Sequence, residues 1–143
     1  MRKSGIENRV AFIQGSSDTV LPRGQDIPKE LDFVFIDGAH RFPFPIIDWY
    51  YTAGRVPVGG MVAVDDCRMP SVRVLHDFLA GEDDWELVRL IHVTAFFRRV
   101  RDTVNEWDWA DQRINKPHLD MMARKSAPNP KDDPIARLLR KLI

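Results

Sequence analysis

Leu31–Asp32–Phe33–Val34–Phe35–Ile36–Asp37–Gly38–Ala39–His40, followed by Val58–Gly59–Gly60–Met61–Val62–Ala63–Val64–Asp65–Asp66, decides the fold. Phe33 to Ile36 are apolar at every position, and so are Met61 to Val64. A strand with one wet face alternates apolar and polar side chains, so unbroken runs predict strands covered on both faces of a parallel sheet. Between the runs, Ile46, Ile47, Trp49, Tyr50 and Tyr51 follow Pro43 and Pro45, which suit a helix entrance, and Pro57 with Gly59–Gly60 closes the segment. The spacing predicts a helix over about 45–55 and hence a strand–helix–strand unit. Such crossovers are right-handed in about 98% of cases and run their two strands parallel. Both carboxyl ends then lie on one side, where Asp37, His40, Asp65 and Asp66 share a crevice. Carboxylates gathered so closely repel one another unless a cation, a proton or a donor network holds them. A divalent ion is the sharpest reading of such a set, although Asp37 and one of Asp65 and Asp66 equally suit turn-tightening or helix-capping roles.

Working outward, Val10 to Gln14 reads as a short strand closed by Gly15–Ser16–Ser17, and Asp18 to Leu21 as a brief helix stopped by Pro22. Arg23 to Glu30 is a polar connection. On the other side, Val72, Leu75, Phe78 and Leu79 recur at helical spacing and predict a helix over Ser71 to Leu79 covering one sheet face. Trp85 to Ile91 and Thr94 to Val100 read as two strands joined tightly at His92–Val93, an antiparallel pair at one sheet edge. Beyond Arg101, Pro117, Pro128, Pro130 and Pro134 punctuate a polar tail. The tail ends in a capped helical pattern over 133–143, with Ile135, Leu138, Leu139 and Leu142 on one side. The expected organisation is a domain over 1–103 and a tail over 104–143.

The chain has 143 residues, the size of one ordinary domain. Its 21 basic and 21 acidic side chains balance, so no overall basic field favours a nucleic-acid backbone. The lone Cys67 cannot form an internal disulfide, and no long apolar run follows Met1, so a cytoplasmic location is the expectation. Apolar runs fall short of the roughly 20 residues a membrane-spanning helix needs. Cys67, beside the acidic pair, is expected to be a poor nucleophile because negative charge raises a thiol pKa. The aromatic run Phe42, Phe44, Trp49, Tyr50, Tyr51 reads mainly as core, with Phe42 closest to the crevice. Trp107 and Trp109 could close over a ligand or anchor the tail.

Taken in order, Gly15–Ser16–Ser17, the run from Phe33 to His40 and the run from Val58 to Asp66 resemble the second half of a class I S-adenosylmethionine-dependent methyltransferase. The nearest likeness is to small-molecule O-methyltransferases whose fourth strand ends in Asp-Gly-x-His. The resemblance spans about 6–101. It implies an α/β, Rossmann-like, mostly parallel sheet with an antiparallel edge pair, and methyl transfer to a small-molecule or sugar hydroxyl. In metal-dependent members, carboxylates matching Asp37, Asp65 and Asp66 hold magnesium against the substrate hydroxyl, which lowers its pKa. His40 matches the histidine that acts as general base in some sugar-modifying members. Gly15, Ser16 and Ser17 match the segment that reaches the adenine side of S-adenosylmethionine.

The family's first strand, glycine-rich loop and acidic residue after the second strand have no counterpart in this sequence. The resemblance therefore implies a carboxyl-terminal portion lacking the first two strands, and a chain not expected to act alone. The competing expectation is a non-catalytic α/β interaction module, whose exposed sheet edge a second copy or a partner chain would cover.

Overall fold

The structure, a computed structural model, describes residues 9–102 and 109–126. The chain divides into two compact units, Met1–Glu106 and Trp107–Ile143. In the first unit, a one-turn helix α1 (Ser17–Val20) and a 3-10 turn (Leu21–Arg23) lead through irregular chain to β1 (Phe33–Ile36). Next come α2 (Phe44–Ala53), β2 (Met61–Val64), α3 (Pro70–Gly81) and the hairpin of β3 (Trp85–Ile91) and β4 (Thr94–Arg99). Both runs quoted at the outset are strands with the boundaries their composition marks. Prolines stand in the first turns of α2 and α3, where a missing N–H costs nothing.

The four strands form one sheet in the order β1-β2-β4-β3. β1 and β2 are parallel neighbours, Phe33 opposite Met61 and Ile36 opposite Val64. β4 lies antiparallel to β2, with Val62 opposite Phe97, and β3 lies antiparallel to β4. The expectation of a mostly parallel sheet is corrected here. Among the described residues one ladder is parallel and the other two are antiparallel, because the hairpin returns β4 directly against β2.

Register separates the two faces. Ile36, Val62, Val64, Ala95, Phe97 and Arg99 point to one side and are buried. α3 packs there through Val72, Leu75 and Leu79, and its His76 ring meets Phe97 edge-on at 5.7 Å. α2 joins α3 on that side by the Trp49–Phe78 edge contact at 5.2 Å. The Arg99 guanidinium closes this layer by donating to the carbonyls of Ala53, at 3.3 Å, and Val56, and to the Asp102 carboxylate at 2.6 Å. On the opposite side, Phe33 and Phe35 are 52% and 54% exposed. The reading of β1 as covered on both faces is therefore wrong for this strand, whereas β2 is covered almost throughout.

Val10 to Gln14 is likewise not a strand. No described strand pairs with it, and Phe12 is 86% exposed. An extended segment without a ladder partner leaves its backbone groups to water, and its apolar composition alone does not hold it in a sheet.

In the second unit, a 3-10 turn (Arg113–Asn115) runs into α4 (Lys116–Ser126). The Asn115 side-chain amide donates to the Trp109 carbonyl at 2.7 Å. The polar-tail reading missed this helix by treating Pro117 as a breaker, when it occupies the first turn; Arg124 and Lys125 in the last turn complement the helix dipole. Trp107 and the helical pattern over 133–143 lie outside the described residues.

Candidate active site

β1 and β2 end side by side, and the Asp65 N–H donates to the Ile36 carbonyl at 3.0 Å, so the ladder continues one residue past the strands. From this shared rim the chain projects Asp37 and His40 on one loop and Asp65 and Asp66 on the next. The His40 Nε2 atom lies 3.6 Å from Asp37 Oδ1 and 3.4 Å from Asp66 Oδ2. That nitrogen is enclosed and makes no hydrogen bond within normal range, although 31% of the His40 side chain is exposed. The His40 loop is tied down from behind, because the Ser71 hydroxyl at the start of α3 donates to the His40 carbonyl.

Asp65 and Asp66 part company. Asp65 continues the alternation of β2 and falls on the side of Ala63 and Phe96, where the Thr94 hydroxyl donates to its carboxylate. Asp66 takes a left-handed backbone, φ 53°, a conformation that aspartate tolerates better than most residues. This turns its carboxylate toward His40. The two neighbouring acids thus have different partners, Thr94 for Asp65 and His40 for Asp66. Among the described residues no group of three His, Cys, Asp or Glu side chains is placed to hold a metal ion. A magnesium ion held by Asp37, Asp65 and Asp66, as the resemblance implied, finds no support among the described residues, where two carboxylates lie about one imidazole.

Gly15, Ser16 and Ser17 form the turn into α1. Gly15 has φ +153°, and a Cβ there would come within 2.4 Å of Val20 Cγ2, so only glycine permits the turn to close on its own helix. Ser16 makes no capping hydrogen bond through its side chain. The Ser17 side chain lies beside the Asp48 carboxyl, on α2. Burial pushes the Asp48 carboxyl above its ordinary pKa, Ser17 pulls it partly back, and the charge of Asp18 pushes it up again. Asp48, Ser71 and Thr94 were not among the residues singled out by motif. The signal for Asp48 was present, since it is the one acid in the otherwise apolar and aromatic run from Phe44 to Tyr51.

Cys67 is buried and donates to the Val64 carbonyl at 3.1 Å. Burial first, and the neighbouring charge of Asp65 after it, raise its pKa, which suits a structural thiol. Of the aromatic run, Trp49 is core, while Phe42, Tyr50 and Tyr51 reach solvent.

Residues 1–67 of the 143 match the family model described as a methyltransferase domain. The match takes in the Gly15–Ser17 turn, the His40 loop and both acids that follow β2. No curated protein matches the chain. No helix among the described residues is long and apolar enough to cross a membrane.

Proposed function

We propose that the rim of β1 and β2 is the acceptor side of an S-adenosylmethionine-dependent methyl-transfer site acting on a small-molecule or sugar hydroxyl. The observation that carries this reading is His40 held between Asp37 and Asp66, within the segment that matches a methyltransferase domain. S-adenosylmethionine, when bound, supplies a methyl group on a positively charged sulfur, ready for attack by an oxygen nucleophile. The protein's part is to take the hydroxyl proton. Both carboxylates lie beside Nε2, which leaves Nδ1 as the nitrogen proposed to take the proton. Because Nε2 is enclosed, a substrate meets the ring elsewhere. Accepting a proton at Nδ1 makes an imidazolium, which lies beside the two carboxylates. Gly15, Ser16 and Ser17 are the residues proposed to meet the cofactor, and Ser16, exposed and free of capping duty, offers a hydroxyl for it.

Isothermal titration with S-adenosylmethionine and its demethylated product tests the cofactor half, and micromolar affinity supports an intact cofactor site in this chain. A panel of hydroxyl acceptors tests the chemistry. His40→Asn should lower methyl transfer by roughly 10²–10⁴-fold, the usual contribution of a general base, while leaving cofactor affinity intact. Undiminished transfer in that variant rejects His40 as the base.

The half-exposed Phe33 and Phe35 favour a second reading, a non-catalytic module that works through its sheet edge and covers it with another chain. Absence of cofactor binding together with concentration-dependent self-association would favour that reading over the first.

A further inference from the structure

Asp48 is a carboxylate in an expensive position. Its Oδ1 is enclosed and has no hydrogen-bond partner, and Asp18 adds a like charge nearby. An asparagine or a leucine would sit there at lower cost, because an enclosed carboxylate oxygen gives up its water without full compensation. What Asp48 does have is two neighbours that belong to different loops. Ser17, in the turn after Gly15, lies beside it and lowers its pKa. Gly38, in the loop between Asp37 and His40, faces Asp48 Oδ2 so closely that a Cβ on Gly38 would lie 3.1 Å from that oxygen. The glycine at 38 and the carboxylate at 48 thus occupy complementary space.

We propose that Asp48 is a positioning residue whose carboxylate, set between Ser17 and Gly38, ties the proposed cofactor turn to the loop that carries the proposed base. The two loops are far apart in sequence and come from different elements, and α2 reaches both. A link of this kind sets the distance between a methyl donor and the group that deprotonates its acceptor, on which transfer depends steeply. The functional consequence rests on the methyltransferase reading, whereas the coupling itself does not.

The experiment removes one end of the link and watches the other. In the full chain labelled with nitrogen-15 and carbon-13, Ser17→Ala should shift the Gly38 amide and the His40 ring signals. The same change made in Asp48→Ala should leave them where Asp48→Ala alone puts them, and Asp48→Asn, which still accepts a hydrogen bond, should restore the response. A merely structural carboxylate would give a stability loss with no transmission from Ser17 to His40. If Ser17→Ala on the otherwise native chain leaves Gly38 and His40 unmoved, the proposal is overturned, and this outcome requires no variant at Asp48 to fold. Titration with S-adenosylhomocysteine adds the functional arm. Ser17→Ala and Asp48→Ala should each weaken binding roughly tenfold, the loss expected of one charge-assisted hydrogen bond, and the double variant should be no worse. Native chain that binds no S-adenosylhomocysteine yet shows the Ser17-to-His40 shift removes the methyltransferase reading and keeps the link; binding without the shift does the reverse.

Discussion

The two faces of the sheet are built from the same kinds of side chain and end in opposite circumstances. On the side of α2 and α3, Val62, Val64, Ala95 and Phe97 are fully enclosed, and even the charged Arg99 is only 2% exposed. On the other side Phe33 and Phe35 stand half in water. Apolar composition states what a strand would gain from cover, and a neighbouring element must supply it. Stability therefore resides on one face, while the other face is an unspent surface.

The sharpest way to break this contrast is Phe97→Ala. It opens a cavity in the helix-covered layer against His76 and should cost about 3–5 kcal/mol in urea unfolding. Next is Arg99→Met, which keeps the volume but strips the hydrogen bonds to the Ala53 and Val56 carbonyls and should cost about 1.5–3 kcal/mol. A smaller effect comes from α2. The folded-state pKa of Asp48 is raised, so below its ordinary value of 3.8 both folded and unfolded chains carry the proton and nothing is lost. As pH rises from there through the folded-state value, the native state loses stability relative to the unfolded chain. Asp48→Asn should remove that part of the pH dependence, measured as the difference in unfolding midpoint between mildly acid and neutral solution. Phe35→Ser should change stability least, within about 0.5 kcal/mol, while reducing association seen by light scattering at high protein concentration. A loss comparable to that of Phe97→Ala would show that the second face is covered after all.

Much of the architecture was legible. Proline and glycine at 57, 59 and 60, and the unbroken apolar runs, marked β1, α2 and β2 closely, and helical spacing of Val72, Leu75 and Leu79 found α3. Val10 to Gln14 misled because strand formation is a property of pairs, and a ladder partner cannot be read from one segment. α4 was missed because Pro117 looks the same in sequence whether it ends a helix or begins one.

At the site, the sequence by itself determined which side chains reach the rim: Asp37 and His40 after one strand, Asp65 and Asp66 after its parallel neighbour. Residue order and strand period suffice for that, since both are local. Only the tertiary structure decided which of them meet. The left-handed backbone at 66 swings one carboxylate to His40, and Thr94, arriving on an antiparallel strand, claims the other. Asp48 belongs to the same lesson, because its two neighbours, at 17 and 38, come together only when α2 packs beside both loops. Side-chain partnership over such separations is set by packing of whole elements, which no local pattern encodes.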